Sequence, residues 1–337
     1  MIHLRNSYFK VTDSVKETIS RDYTDHRSSS FMKYMRDLER FFCETFNTKY
    51  CTFFQGSGTL ANEVMIEEIA KVHMLDTGII LNHGEFGARL VDTATQKGLN
   101  FFELNNNYDE LYETLSNIVK YKEVWWILFP LCESSNGVVY DLEKILSIIE
   151  SDTDVYIDGM SFVGNEPIDL SRVSLFTASS GKGLGSLPGI AIILHNKYTE
   201  ERSQVKYIDL GYYRSKDGVP FTISTSQIRA LGVSARERLH EANYKRVREL
   251  REYIEKRVFS SKVLSMEYPE QKHLAFFSFI VLPNSERLGE YLESKDIYLS
   301  FRTPYLIKKN CIEISLLDYH LSVKDLELFF NIVESYE

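Results

Sequence analysis

The sequence predicts an α/β fold in which a large domain with a mostly parallel sheet is followed by a smaller α/β domain. Three short apolar segments, at residues 124–129, 155–157 and 189–194, are bounded by polar turns and are typical of strands buried on both faces. Helical patterns such as the one at residues 141–150 lie between them. Strands that alternate with helices predict a parallel sheet covered by helices, over about residues 21–229.

The last third of the chain follows a different pattern. A long charged helix is predicted at residues 235–257, then strands at 275–282, 297–301 and 311–315, and a closing helix at 323–333. Strands in series with flanking helices predict a small α/β domain. We therefore divide the chain into an N-terminal segment (1–20), a large domain (21–229) and a small C-terminal domain (230–337).

The composition argues against several classes of function. The 337-residue chain has a formal net charge of -9, whereas nucleic-acid binding usually requires a basic face. Its four cysteines show no CxxC spacing, so neither a metal site nor a disulfide framework is predicted. The charged N-terminus and the lack of an apolar run of about 18 residues predict a cytoplasmic protein with no membrane partner.

Asp158 and Lys182 are the most informative pair of residues, because each follows a short apolar run. Pyridoxal phosphate (PLP) chemistry needs a lysine that holds the cofactor as a Schiff base. It also needs a carboxylate opposite the pyridine nitrogen, which keeps the ring protonated as an electron sink. Each residue also has an ordinary interpretation, Asp158 as a helix N-cap and Lys182 as a solvated loop lysine.

A glycine-containing junction at residues 55–59 follows one predicted strand and opens a helix. The N-terminus of a helix presents unpaired N–H groups, and glycine lets a phosphate approach the backbone closely. Ser57, Gly58 and Thr59 are therefore candidate phosphate ligands. A plain tight turn is the alternative interpretation.

Two further stretches follow predicted strands. Phe86 would stack over a flat cofactor ring, although core packing is the alternative for any phenylalanine. Ser134, in the stretch 130–137, would hydrogen-bond the region of the cofactor's phenolic oxygen, or belongs to an ordinary turn. Ligands of an open parallel sheet collect at the carboxyl ends of its strands, where all these residues are predicted to lie.

Taken together, these stretches resemble the class V aminotransferases of PLP fold type I, and among them the alanine-glyoxylate and 2-aminoethylphosphonate transaminases. The resemblance extends from about residue 11 to residue 333. No single motif is specific, but their order along the chain is. The matching stretches are residues 25–28, 56–59, 82–89, 133–137, 156–161, 179–182 and 188–189.

The resemblance implies a large domain with a mostly parallel seven-stranded sheet and a PLP cofactor. It also implies a homodimer with shared active sites, because one phosphate ligand comes from the neighbouring subunit. The implied roles are the Schiff base for Lys182, the pyridine nitrogen for Asp158, ring stacking for Phe86, the phosphate for Ser57, Gly58 and Thr59, the ring for Ser134 and Met160, and the neighbouring subunit's phosphate for Thr222.

The departures from the family lie on the substrate side. The family has a substrate-binding arginine where this chain has Glu313, and like charges ~4 Å apart repel by about 4 kcal/mol at an effective dielectric near 20. The N-terminal stretch and Gly181, which precedes the lysine, also differ from the family. Arg302, Arg5 and Arg27 are candidates for a displaced anion-binding group.

The leading hypothesis is therefore a PLP-dependent aminotransferase acting on an atypical small amine or amino acid, such as an aminophosphonate, with a small carbonyl partner. Lys182 would be both the Schiff-base residue and the proton-transferring base. A PLP-dependent lyase or decarboxylase on the same scaffold is the second hypothesis. A non-catalytic binding protein with the same fold is the third.

Overall fold

The computed structural model describes residues 1–6, 10–21, 24–197 and 199–336. Two 3₁₀ turns, Tyr108–Glu110 and Lys206–Ile208, accompany the helices and strands. The helices are α1 (Asp13–Ser20), α2 (Ser29–Phe46), α3 (Gly58–His73), α4 (Glu85–Gln96), α5 (Leu111–Tyr121), α6 (Leu142–Ile148), α7 (Leu210–Ser215), α8 (Thr225–Arg238), α9 (Glu241–Phe259), α10 (Ser285–Ser294), α11 (Pro304–Lys309) and α12 (Val323–Glu334). The strands are β1 (Ile2–His3), β2 (Tyr50–Gln55), β3 (Thr77–Leu81), β4 (Asn100–Leu104), β5 (Trp126–Pro130), β6 (Cys132–Glu133), β7 (Val138–Val139), β8 (Asp154–Asp158), β9 (Leu175–Ser179), β10 (Ile190–His195), β11 (Leu264–Met266), β12 (Phe276–Val281), β13 (Ile297–Tyr298) and β14 (Cys311–Ser315).

The large sheet has seven strands in the order β2-β10-β9-β8-β5-β3-β4. All neighbouring pairs are parallel except those of β10, which runs antiparallel to both β2 and β9. The predicted mostly parallel seven-stranded sheet is thus confirmed. Because β3, β5, β8 and β9 run in the same direction, their carboxyl ends meet at one edge of the sheet.

The two faces of this sheet bury different apolar clusters, because successive side chains of a strand point to opposite faces. In β2, Phe53 packs in a cluster with α2 residues such as Phe42, whereas Phe54 packs in a cluster with α3 residues such as Met65. Helices therefore cover both faces of the sheet. Its edge, where the strands end, is left free to carry polar side chains.

A second, three-stranded antiparallel sheet in the order β11-β12-β14 lies in the C-terminal part of the chain. The N-terminal strand β1 pairs with β13 in parallel, so residues 2–3 contact the C-terminal part of the chain. The predicted boundary at 229/230 falls inside α8. In the described part of the chain, no helix has both the length and the apolarity that crossing a membrane requires.

The long charged helix predicted at residues 235–257 is wrong as a single element. The chain instead forms α8, which ends at Arg238, and α9, which begins at Glu241. His240 caps α9, since its Nδ1 accepts a hydrogen bond from the Ala242 N–H at 3.2 Å. Charged residues continue across this break, so spacing alone gives no signal that the helix ends there.

Candidate active site

A cavity of about 190 Å³ lies at the carboxyl edge of the large sheet, beside the N-termini of α3 and α4. It brings together residues from five parts of the chain that the sequence places far apart. Of the residues predicted to form the site, Gly58, Thr59, Phe86, Asp158, Met160 and Lys182 line it, together with Asn62, Glu63, Arg89, Leu90, Thr93, Cys132, Ser161 and Ser179.

Asp158 ends β8 and is only 4% exposed. Its Oδ2 accepts a hydrogen bond from Asn62 Nδ2 at 2.7 Å, and its Oδ1 accepts one from the Met160 N–H at 2.9 Å. Thr177 Oγ1 in turn donates to Asn62 Oδ1 at 2.7 Å, which fixes the amide so that its NH₂ faces the carboxylate. Burial raises the pKa of Asp158, while these donors act in the opposite direction. The carboxylate is therefore oriented before any ligand binds.

Lys182 follows β9 in the turn that closes one side of the cavity. Its Nζ lies 5.8 Å from the centroid of the Phe86 ring and 5.6 Å from that of the Phe276 ring. Burial lowers the pKa of Lys182, and the charge of Arg89 acts in the same direction, whereas Glu313 and Asp158 oppose the shift. A lowered pKa increases the fraction of free amine, the form of lysine that attacks a carbonyl carbon.

Phe86 is held by the first turn of α4, and a buried glutamate fixes that turn. Glu133 is fully buried, and its Oε2 accepts hydrogen bonds from the Phe86 N–H at 3.1 Å and the Gly87 N–H at 2.9 Å. Its Oε1 accepts the Ser135 hydroxyl at 2.5 Å. A Cβ at Gly84 would lie 2.5 Å from Glu133 Cδ, so the close approach requires glycine. Glu133 thus positions Phe86 over the cavity.

The N-terminus of α3 offers an anion site. Ser57 is the N-cap residue but makes no side-chain capping bond, and both Ser57 and Thr59 are exposed. A Cβ at Gly58 would lie 2.6 Å from Met160 Sδ, so a larger residue there would require the Met160 side chain to move. Hydroxyl groups and unpaired N–H groups at the start of a 16-residue helix are suited to a phosphate.

Three of the predicted cofactor-binding residues lie outside the lining of the cavity: Ser57, described above, Ser134 and Thr222. Ser134 is fully buried, and its Oγ has no hydrogen-bond partner among the described residues. Thr222 is exposed, in the segment just before α8. Ser134 therefore has a free hydroxyl beside the Glu133 cap, and Thr222 is accessible at the surface of the chain.

Glu313 lies on β14, opposite Ser278 of β12. Cross-strand partners share a face of a sheet, as do residues two apart in a strand, so Glu313 and Ser278 share a face with Phe276. Because the Phe276 ring lies 5.6 Å from Lys182 Nζ, this face of the small sheet is turned toward the lysine.

The Glu313 carboxyl group is poorly satisfied. It is 5% exposed, and its Oε1 has no hydrogen-bond partner among the described residues. Burial raises the pKa of Glu313 to about 8, although a hydrogen bond from Asn6 and the charge of Lys182 act in the opposite direction. Of the carboxylates that attract Lys182, Glu313 acts most strongly, ahead of Asp158.

The three arginines predicted as a displaced anion-binding group are not brought to the cavity lining. Arg5 and Arg302 both pair with Glu293, at 2.7 Å and 2.9 Å. Arg27 is exposed in the turn before α2, where its backbone N–H donates to Asp25 Oδ1 at 3.0 Å. Two of the three guanidinium groups thus share one carboxylate of the same chain.

Two of the lining residues of the cavity that were not predicted from the sequence contact other residues of the site. Arg89 lines it, and its guanidinium carbon lies 5.0 Å from the Phe86 ring centroid. Its signal was the i, i+3 spacing from Phe86, which places both side chains on one face of a helix. Asn62 orients Asp158, and its signal was an amide four residues after Gly58 in an otherwise apolar helix face.

The residues present fit PLP. Asp158 is a fixed carboxylate, Phe86 is a positioned ring, Lys182 is an amine of lowered pKa, and the start of α3 offers hydroxyl and N–H groups with a glycine where a phosphate would approach. Within the described residues, no group of three or more His, Cys, Asp or Glu side chains is arranged to hold a metal ion.

The chain has the fold of solved aminotransferases, and its resemblance to the aminotransferases is confirmed by comparison with known proteins. An alanine-glyoxylate aminotransferase from Nostoc sp. superposes with a TM-score of 0.83 at 19% identity, over 99% of this chain and 94% of that chain.

Two relatives are similar in sequence. An uncharacterised aminotransferase of Helicobacter pylori is 22% identical over 209 residues, which is 60% of this chain and 55% of that protein. A 2-aminoethylphosphonate–pyruvate transaminase of Aeromonas hydrophila is 25% identical over 146 residues, 42% of this chain and 38% of that protein. The chain thus spans about half the length of the relatives it matches, or less. No protein-family model matches the chain.

Proposed function

We propose that the protein is a PLP-dependent aminotransferase that moves an amino group from a small amine to a small carbonyl compound. The observation that carries this proposal is the cavity that Asp158, Lys182 and Phe86 all line, with Lys182 Nζ 5.8 Å from the centroid of the Phe86 ring. An acid, an amine and a ring in one cavity are the protein groups that PLP chemistry requires. The relatives named as aminotransferases support the same proposal.

Each residue then has a defined task. The hydroxyl and N–H groups of residues 57–59 hold the phosphate, Phe86 fixes the plane of the ring, and Asp158 faces its nitrogen. Lys182 Nζ carries the cofactor and later accepts and returns the proton that moves between two carbon atoms. The lowered pKa of Lys182 suits that task, because a base must be uncharged to accept a proton.

When bound, PLP supplies an electron sink that stabilises negative charge on the carbon beside the amino group. The net reaction balances in two halves. In the first half the amine R–CH₂–NH₂ becomes R–CHO, as its carbon loses two electrons and exchanges its nitrogen for the oxygen of a water molecule. In the second half the carbonyl partner gains the nitrogen, its carbon gains two electrons, and its oxygen leaves as water.

We also propose a homodimer with shared active sites. Thr222 is exposed, and it lies outside the cavity of its own subunit. A second subunit is therefore free to receive its hydroxyl near the phosphate. Sedimentation velocity of the purified protein tests the dimer, and a monomer that retains full activity contradicts it.

Reduction with borohydride tests the cofactor site without requiring turnover. The protein is mixed with PLP, reduced and digested, and the mass of the cofactor is then located in the peptides. We expect it on Lys182. Lys182→Ala should lose the label, whereas the matched variant Lys122→Ala, which changes an exposed lysine, should keep it. Label on another lysine in the unaltered protein contradicts the proposal.

The reaction itself is tested by adding single amines to the PLP-loaded protein and following the cofactor's visible absorbance. An aminotransferase converts PLP to its pyridoxamine form and releases an aldehyde or keto acid. Release of carbon dioxide or of an eliminated group, with PLP unchanged, would instead identify a lyase or decarboxylase. Label on Lys182 without any conversion would indicate a binding protein.

A further inference from the structure

The small-domain sheet, one face of which is turned toward Lys182, carries a buried carboxyl group that the proposed chemistry does not use. Glu313 is only 5% exposed, and its Oε1 has no hydrogen-bond partner among the described residues. Buried acceptors are normally paired, because leaving one unpaired costs about 1–3 kcal/mol. A group retained in this state commonly has a partner that arrives with a ligand.

The position of Glu313 points to the substrate as that ligand. The residue shares a face of the small sheet with Phe276, whose ring lies 5.6 Å from Lys182 Nζ. Ser278, directly opposite Glu313, also has a buried hydroxyl without a partner among the described residues. Two unsatisfied polar groups therefore lie side by side on the face that is turned toward the reacting lysine.

The surrounding charges favour a cation at this place. The carboxylates of Glu133 and Glu85 disfavour the charged form of Glu313, so the three acidic groups interact with one another. The positive charge of Lys182 offsets these acidic groups. In the proposed reaction, however, Lys182 is bound to the cofactor. A positive group delivered by the substrate would stabilise the charged form of Glu313 and pair with it, whereas a substrate carboxylate would disfavour that form and be repelled by it.

We propose that Glu313 binds a positively charged group at the far end of the substrate, so that the protein acts on small diamines rather than on amino acids. This inference rests on the proposed function, since it assigns the substrate of the same site. The reacting amino group lies at Lys182, and the second ammonium group lies at Glu313. Asn6, which already hydrogen-bonds Glu313, orients the carboxylate for this contact.

A set of five-carbon amines that differ only at the distal end tests the inference. The PLP-loaded protein is given 1,5-diaminopentane, 5-amino-1-pentanol, pentylamine and 5-aminopentanoate, and kcat/KM for cofactor conversion is measured for each. The same comparison is made with the three- and four-carbon sets. We expect the diamine to exceed the carboxylate by about 100-fold at the best chain length, since a site built for a polar group discriminates strongly against a substrate that cannot pair with it.

Glu313→Gln keeps the shape of the side chain and removes its charge. We expect this variant to lose most of the preference for the diamine over the amino alcohol, and to accept 5-aminopentanoate better than the unaltered protein does. Glu290→Gln is the matched control, because Glu290 is an exposed glutamate of the same domain. The control should keep the full preference.

A second measurement does not depend on turnover. Saturating diamine should raise the Tm of the PLP-loaded protein more than pentylamine does, and Glu313→Gln should abolish that difference. Preference for the amino alcohol, or a diamine preference that Glu313→Gln leaves unchanged, overturns the inference. If amino acids convert the cofactor and no diamine does, the inference fails while the aminotransferase proposal stands. If no amine of any kind converts it, the proposed function fails.

Discussion

The large-domain half of the site and the small-domain half satisfy their buried carboxyl groups to different degrees. On the large-domain half, Asp158 accepts two hydrogen bonds, and Glu133 accepts bonds at both of its oxygens. On the small-domain half, Glu313 Oε1, Ser278 Oγ and Asn6 Oδ1 are buried without partners among the described residues. The buried carboxyl groups of the first half are thus satisfied within the chain, whereas the carboxyl group of Glu313 on the second half is not.

This difference distinguishes the side chains that hold the cofactor, which is the same in every cycle, from the side chains that bind the substrate. A carboxylate that faces the same cofactor in every cycle benefits from donors that fix its orientation in advance. A side chain that recognises a substrate must leave one hydrogen-bonding position open, and in the absence of a partner this destabilises the protein. The substrate-binding half should therefore be the less stable half, and it should tolerate change better.

The largest expected effect is on the large-domain half. Asp158→Asn keeps the shape of the side chain but removes the negative charge opposite the ring nitrogen, and kcat should fall by about 10³-fold, as for other charged groups that act on a reacting system. Steady-state rates with saturating PLP measure this. Asp152→Asn, which alters an exposed aspartate, should leave kcat unchanged. A loss of less than about tenfold would mean that Asp158 is a structural residue.

The next effect is on stability and its pH dependence. The folded-state pKa of Glu313, about 8, lies above its usual value of 4.5, so the folded protein binds an additional proton between these values. The stability that this proton contributes is present below pH 4.5 and is lost as the pH rises to about 8. Relative to the unaltered protein, Glu313→Gln should therefore gain on the order of 3 kcal/mol between pH 5 and pH 8.

Urea unfolding of the cofactor-free protein at several pH values measures this gain. Glu290→Gln should show a flat difference, because that glutamate is exposed. If Glu313→Gln instead loses stability at pH 8, the carboxylate is satisfied within the protein, and the contrast between the two halves disappears.

The same substitution on the other half should have the opposite sign. Glu133→Gln places an NH₂ group against the N–H groups of Phe86 and Gly87, or against Ser135, and leaves buried donors unpaired. The free energy of unfolding at pH 7 should fall by about 2 kcal/mol. The KM for PLP should rise as well, because α4 no longer fixes Phe86. Equal stability of the Glu133→Gln and unaltered proteins would contradict this reading of the cap.

The sequence predicted the large-domain half better because that half follows local rules. Asp158, Phe86 and Gly58 each lie where a strand of a parallel sheet ends or a helix begins, and such positions can be read from apolar runs and glycines. The strands predicted at residues 124–129, 155–157 and 189–194 and the helix predicted at residues 141–150 were found for the same reason. The break between α8 and α9 was missed because a histidine caps α9 through its ring nitrogen, which charge and spacing do not reveal.

The other half depends on contacts between distant parts of the chain. Arg302 and Arg5 lie 297 positions apart in the sequence, and both pair with Glu293, a partner that no motif indicates. For Glu313, the resemblance indicated that it stands where the family has an arginine. That Glu313 shares a face of the small sheet with Phe276 follows from the strand register. Which of several charged residues faces a cavity is decided by packing, and the sequence alone leaves that choice open.

The smallest expected effects come from replacing two arginines, one that lines the cavity and one at the surface. Arg89 lines the cavity and forms no ion pair with any described residue, whereas Arg302 pairs with Glu293 and has a side chain that is 57% exposed. Arg89→Met should raise the KM of a keto acid acceptor about tenfold, because one charge-assisted contact is worth about 1.5 kcal/mol. Arg302→Met should change it by less than about twofold, since exposed ion pairs contribute little.

Removing Arg89 should also raise the pKa of Lys182, because the arginine lowers it, and the pH dependence of cofactor reduction by borohydride measures that shift. If Arg302→Met has the larger effect on KM, the anion-binding group lies on the small-domain half, and that half is then more complete than its unpaired carboxyl group indicates.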